Sequence, residues 1–289
     1  MIKIFNSKIE LNKFPDGTPL INCFTEQNID ELKQLVSGDK NNSLPICWNY
    51  ENNEELIYLF FIVNHLRSVM QPNTKYILVM PYIPNARMDR VKCEKDVFTL
   101  KYFCNFINSL HFDKVYVLDA HSNVSLALLN NVTEISPIHY IKNAISNVDP
   151  DMLFFPDEGS SKRYSDIIKN GNFKQDFELA FGIKKRDWNS GKILGLDINN
   201  AENVRGRNIL IIDDICSKGG TFYHSAKKLK ELGANSISLY VTHCENSVLA
   251  GEMINSGLID NIYTTDSIFT AQHEKINIIG HTDSIIFFQ

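Results

Sequence analysis

Asn208-Ile209-Leu210-Ile211-Ile212-Asp213-Asp214-Ile215-Cys216-Ser217-Lys218-Gly219-Gly220-Thr221 is the stretch that decides the fold. Four apolar residues in a row, mostly β-branched, predict a strand buried on both faces of a parallel sheet. Asp213 and Asp214 are expected at the carboxyl end of that strand. A short loop of small residues and a helical pattern over His224–Gly233 follow. A strand, a glycine loop and a helix N-terminus make a phosphate site, because loop amides point at the anion and the helix dipole favours it. The two acids would repel phosphate, so they suit sugar hydroxyls or a metal ion. The stretch therefore predicts a site for a phosphorylated sugar; the plainer alternative is a buried strand with an acidic helix cap.

The chain has 289 residues, a length that suits about two domains. Its 44% apolar and 22% charged residues predict a soluble globular protein. A net charge of -5 and the lack of a basic run argue against a general nucleic-acid binder. Six cysteines without CxxC spacing read as reduced thiols, and the N-terminus shows no signal-peptide pattern, so a cytoplasmic location is expected. The most apolar run, Leu56–Val63, is too short to cross a membrane.

Repeated strand-helix-strand units predict the architecture. One round runs strand 76–80, helix 98–110, strand 114–118, then His121. A second runs strand 208–212, helix 223–232, strand 236–241, then His243. Such units form parallel sheets with right-handed crossovers, and ligands lie beyond the carboxyl ends of the strands. We expect two similar α/β domains related by a pseudo-twofold, spanning 1–140 and 141–289, with the last strand left open to return to the first domain. A helix over 53–70 is expected to bury Leu56, Leu59, Phe60, Val63 and Leu66. Phe14, beside the Pro15-Asp16-Gly17 turn, reads as a core residue first and a stacking surface second.

Two further sites suggest chemistry. His121 and Asp157 both end strands, and such a pair can hold a divalent ion that keeps most of its waters for phosphate oxygens. Lys184-Lys185-Arg186 reads as a basic loop which, folded over the site, supplies cations to a phosphoryl transfer. No Walker A loop, GxSxG or HExxH is present.

Six segments in order resemble the ribose-phosphate pyrophosphokinases, or phosphoribosyl pyrophosphate (PRPP) synthetases. They are Phe14-Pro15-Asp16-Gly17, Pro81-Tyr82 through Arg90, Asp119-Ala120-His121, Pro156-Asp157-Glu158-Gly159, Lys184-Lys185-Arg186 and the opening stretch. The resemblance covers nearly the whole chain and implies two phosphoribosyltransferase-like domains. It implies transfer of the β,γ-diphosphate of ATP to the anomeric hydroxyl of a ribose 5-phosphoryl acceptor, releasing AMP. By the same resemblance, Phe14 and Asp16 touch the adenine of ATP held by a neighbouring subunit, and Arg87, Met88 and Asp89 belong to the ATP loop. His121 and Asp157 match Mg²⁺ positions, and Lys184 and Arg186 match the catalytic loop. Asp213 and Asp214 would hold the ribose hydroxyls, and Ser217, Lys218, Gly219, Gly220 and Thr221 the 5-phosphate. A dimer-based homo-oligomer, up to a hexamer, with shared ATP sites is implied, and no nucleic-acid or membrane partner.

Departures fall around the substrates. The family loop usually reads Asp-Thr-x-Gly-Thr, whereas here Ser217-Lys218 replace its first two residues. Thr18 stands for a usual Glu and Met88 for a usual Gln, and the chain ends in Ile285-Ile286-Phe287-Phe288-Gln289 without the usual last helix. Chemistry kept with a more cationic loop leaves the acceptor open between ribose 5-phosphate and ADP-ribose, the latter serving to rebuild NAD⁺ from nicotinamide. A non-catalytic regulatory homologue and a phosphoribosyltransferase are the competing readings. The retained His121, Asp157, Lys184 and Arg186 argue against the first, and two repeated domains against the second.

Overall fold

Ile209–Ile212 are wholly buried at the centre of a seven-stranded sheet. The computed structural model of the chain describes residues 1–5, 7–173, 176–186 and 193–280. The chain divides into two compact units, Met1–Ile135 and a second starting at Ser136.

The first unit contains β1 (Ile2–Ile4), β2 (Ser7–Lys8), β3 (Asn12–Lys13), β4 (Pro19–Leu20), α1 (Glu26–Gly38), β5 (Ser43–Trp48), α2 (Glu55–Val69), β6 (Lys75–Val79), α3 (Thr99–Ser109), β7 (Lys114–Leu118), α4 (Asn123–Leu128) and β8 (Val132–Ile135). Its sheet has the order β2-β1-β5-β6-β7-β8; β5 to β8 are parallel, whereas β1 joins β5 and β2 antiparallel. Leu44, Ile46, Leu78, Val115 and Val117 share a core with Leu59, Ile62, Val63 and Leu66 of α2 and Leu100, Phe103 and Ile107 of α3. The buried stripe of α2 is turned from the one expected. Tyr58 and Ile62 are inside, while Phe60 is 38% exposed. This helix is apolar almost all round, so spacing alone does not choose its inner face.

The second unit contains α5 (Ile138–Val148), β9 (Met152–Phe155), α6 (Glu158–Lys169), β10 (Glu178–Arg186), β11 (Ile193–Ile198), β12 (Asn208–Cys216), α7 (Gly220–Glu231), β13 (Ser236–Cys244), α8 (Glu252–Asn255), β14 (Asn261–Thr264) and β15 (Ile276–Ile278). The strand order is β11-β10-β9-β12-β13-β14-β15, parallel except for β11, which closes an antiparallel hairpin on β10. Met152, Phe154, Ile209, Ile211, Leu239 and Val241 pack with Phe222, Ala226 and Leu229 of α7 on one face. Helices α5 and α6 lie against β9, β12 and β13. Cover on both faces is why the strands read as continuous apolar runs; each buried Ile or Leu is worth about 1.5–3 kcal/mol.

Three expectations are corrected in this unit. β12 does not stop at Ile212: its ladder with β13 continues through Ile215↔His243 and Cys216↔Cys244, so the acid pair lies inside the strand. Gly220 and Thr221 belong to the first turn of α7 rather than to a loop. Lys184-Lys185-Arg186 lie on β10, paired with β11, because the chain turns back antiparallel there instead of leaving the sheet as a loop. The side chains of 184–186, residues 187–192 and the apolar end Ile285–Gln289 lie outside the described residues. The six cysteines form no disulfide. Among the described residues, no helix is long and apolar enough to cross a membrane.

Candidate active site

In the second sheet the chain leaves β9 toward β10 on one side, and β12 continues to β13 on the other. The gap between the carboxyl ends of β9 and β12 is thus a topological switch point, where open α/β sheets bind ligands. β12 runs parallel to β9, with Ile209, Leu210 and Ile211 registered on Met152, Leu153 and Phe154. The fold therefore sets Asp157 just past the end of β9, and Asp213 and Asp214 in the last part of the neighbouring β12.

Each acid has a distinct environment. Asp157 is the N-cap of α6, accepting from the Ser160 backbone N–H at 3.1 Å, while the Ser160 hydroxyl lies 3.3 Å from the Asp157 N–H in a capping box. Asp213 is half-buried, whereas Asp214 is buried and accepts from the Ile215 N–H at 2.8 Å. The two point to opposite faces of β12, since side chains alternate along a strand. Arg163 of α6 reaches across, its Nη1 3.5 Å from Asp214 Oδ2. No motif had singled out Arg163; its sequence signal is only a basic residue on the helix that Asp157 starts.

After β12 the chain passes through Ser217 and exposed Lys218 to Gly219, whose φ of 78° is a left-handed conformation that glycine adopts without strain. Helix α7 starts at Gly220 with no side-chain cap, so its first-turn N–H groups are aimed where an anion would sit. The loop is pressed against α8. A Cβ at Gly251 would lie 1.9 Å from the Lys218 carbonyl oxygen, and one at Gly219 would lie 2.7 Å from Met253 Sδ.

The first unit assembles a second constellation. Asp119, at the end of β7, is buried with φ 47°, a strained conformation for a non-glycine residue. The Ala120 N–H donates to Glu134 Oε1 at 2.8 Å, fixing the turn that presents half-buried His121. Asp89 accepts from Arg90 Nε at 2.8 Å and Nη2 at 3.2 Å. The Arg90 guanidinium holds the Asp89 carboxyl below the usual carboxylate range. Partial burial opposes this, and Ser122 and His121 add to it. Residues expected separately as ATP-loop and metal positions are therefore neighbours. Arg87 is exposed and Met88 half-buried on the same loop.

Phe14 and Asp16 occupy the tip of the β3–β4 hairpin. Asp16 accepts from the Thr18 N–H at 3.0 Å and the Thr18 hydroxyl at 2.7 Å, and Gly17 takes φ 85°. Phe14 is 50% exposed, so the reading of it as a core residue is wrong. The tight turn carries it away from the sheet. His243, which the repeat set beside His121, is also different. It lies inside β13, 1% exposed, with Nδ1 2.8 Å from the Ser267 hydroxyl, and is a core histidine. Among the described residues no three or more His, Cys, Asp or Glu side chains converge to hold a metal ion.

A phosphoribosyl transferase domain model matches residues 135–255, which hold the switch point and the loop into α7. The ribose-phosphate pyrophosphokinase of Hyphomonas neptunium is 29% identical over 78% of this chain and 71% of its own length. That of Pyrococcus furiosus is 25% identical over 94% of this chain and 90% of its own. The chain is similar to ribose-phosphate pyrophosphokinases over most of its length. The phosphoribosylpyrophosphate synthetase from Mycobacterium smegmatis superposes with a TM-score of 0.71 over 96% of this chain and 87% of that one; at 15% identity this likeness concerns the fold. Within the pyrophosphokinase frame, the matched domain carries the acid pair and the uncapped helix, and the flanking sequence carries the hairpin and the His121 constellation.

Proposed function

We propose that this chain is an ATP-dependent diphosphotransferase, a ribose-phosphate pyrophosphokinase that passes the β,γ-diphosphate of ATP to the anomeric hydroxyl of a ribose 5-phosphoryl acceptor. The observation that carries the reading is that Asp157 follows β9, the acid pair lies on the neighbouring β12, and β12 leads into the uncapped start of α7, all at the switch point of one sheet. The α7 terminus and the Ser217–Thr221 segment would take the 5-phosphate, and Asp213 the sugar hydroxyls. In-line attack of the anomeric oxygen on the β-phosphorus needs positioning and electrostatic stabilisation more than covalent help. Lys184 and Arg186, on the strand next to β9, would supply cations to the charge that develops.

Asp157 and His121 would each serve as a Mg²⁺ position. The donor set suits the ion: an oxygen ligand already oriented by its cap bond, with no closed protein cage among the described residues, fits an ion that keeps waters and substrate phosphates. When bound, the ion would neutralise phosphate charge. Phe14 would stack on the adenine of ATP held by a second copy, which supports a homo-oligomer with shared sites. Exposed Lys218 in place of a neutral threonine supports a second acceptor, ADP-ribose, whose diphosphate carries charge beyond the 5-position. Replacing Lys184 and Arg186 together with Ala tests the reading. Turnover should fall at least about a thousandfold with the oligomer kept; retained turnover refutes the loop assignment.

A further inference from the structure

The loop between β12 and α7 is braced by an apolar side chain of α8. Gly219 is buried, although Lys218 before it and Gly220 after it are exposed. Met253 is packed against it: a Cβ built on Gly219 would stand 2.7 Å from Met253 Sδ, 2.8 Å from Cε and 2.9 Å from Cβ. One residue earlier the Lys218 carbonyl oxygen meets Gly251 as closely, so 251 and 253 brace consecutive residues of the loop. Met253 is 1% exposed and shares its core with Phe222 and Ala226 of α7. The brace matters because of what Gly219 does. Its left-handed φ of 78° turns the chain into α7, and its carbonyl accepts an early bond of that helix, from the Tyr223 N–H at 2.8 Å. A shift of Gly219 is therefore passed to the first-turn N–H groups, which have no side-chain cap. Close-packed interiors transmit such strain, and donors stay preorganised only where packing supports them.

Resting on the pyrophosphokinase reading, we propose that Met253 is a positioning residue for the acceptor's 5-phosphate. It acts through its contact with Gly219, keeping the loop and the start of α7 at one depth, and is not assigned contact with the reacting atoms. Its influence belongs to acceptor binding. The residues expected to hold ATP, Phe14, Asp16 and Arg87 to Asp89, all belong to the first unit, whereas Met253 lies in the second. No motif marks Met253, an apolar residue on a helix of four residues.

Initial rates of the full-length protein test this, measured against acceptor at saturating ATP and against ATP at saturating acceptor. Met253→Ala removes Sδ and Cε from beside Gly219 and should raise the acceptor KM about tenfold or more, with the ATP KM within about twofold. Met253→Leu nearly conserves the volume and should stay within about threefold of wild type in both. Leu229→Ala, in the same core but at the far end of α7, is the control for general loosening. It should lower the melting temperature about as much as Met253→Ala and leave the acceptor KM within about twofold. An unchanged acceptor KM in Met253→Ala, equal rises in both KM values, or the same acceptor effect in Leu229→Ala would overturn the proposal. If Met253→Ala does not fold, Met253→Val is compared with Met253→Leu, the valine being expected to give the higher acceptor KM and equal values counting against the proposal. Any of the contrary results with a wild type that makes AMP removes the assignment of Met253 alone. A wild type that makes no AMP with ribose 5-phosphate or ADP-ribose removes the reading of the site, and the assignment with it.

Discussion

The carbonyl oxygen of Lys218 faces Gly251 so closely that a Cβ built on that glycine would lie 1.9 Å from it. The candidate phosphate loop thus has no slack on its α8 side. Gly251→Ala must push the loop or α8 aside by more than an ångström to reach ordinary contact, and a misplacement of about 1 Å can cost on the order of a hundredfold in rate. We expect a protein that still folds, with the acceptor KM raised about tenfold or more and the ATP KM little changed. Steady-state kinetics against each substrate would check this, and an unchanged acceptor KM would remove the loop from the acceptor site.

Phe14 gives the opposite profile. Half of its surface is exposed, so Phe14→Ala should alter stability by no more than about 0.5 kcal/mol. If the ring stacks on adenine, the loss of about 0.5–1.5 kcal/mol appears as a two- to tenfold higher ATP KM. A melting temperature lowered by many degrees would mean that the ring packs inside after all.

Asp89 and Arg90 predict an acid limit. Because the Arg90 guanidinium depresses the Asp89 carboxyl, their pairing contributes fully above the unfolded-state value of about 3.9 and is lost as pH falls through the lower folded value. Arg90 is mostly exposed, so the contribution is screened by salt. Arg90→Gln should lower stability slightly at neutral pH, with the deficit shrinking as pH falls through the folded value, and so move the acid-unfolding midpoint slightly upward, most visibly at low ionic strength. Tryptophan fluorescence between pH 2 and 5 would measure it; an unmoved midpoint counts against the pair.

Ser217 and Lys218 test the acceptor. The double change Ser217→Asp, Lys218→Thr makes the loop more acidic by two charges. It should shift preference toward ribose 5-phosphate over ADP-ribose in the ratio of kcat/KM values. Identical ratios in variant and wild type would place acceptor choice elsewhere.

Much of the second unit was legible because its strands are buried on both faces. Ile209–Ile212 stand out as an apolar run and Ile237–Val241 as one broken only by Ser238, and Asp157 follows the run Met152–Phe155 after Pro156. The extent of β12 was not legible. Hydropathy ends at Ile212, whereas the ladder ends at Cys216, because β13 supplies partners for the strand beyond that point. Phe14 and Phe60 were misplaced for a shared reason: an aromatic residue on a tight hairpin or an all-apolar helix carries no record of which way it faces. Arg163 went unseen because its meaning lies in a contact fifty-one residues away, to Asp214. Sequence order does not display that contact; the parallel register of β9 and β12 creates it.

The most direct measurement is product analysis after incubating the full-length protein with ATP and Mg²⁺, with ribose 5-phosphate or ADP-ribose in separate reactions. Diphosphate transfer predicts AMP in an acceptor-dependent, one-to-one ratio with the sugar 1-diphosphate, and its loss in Asp213→Asn. ADP as the nucleotide product, or no AMP with either acceptor from folded protein, would contradict the account.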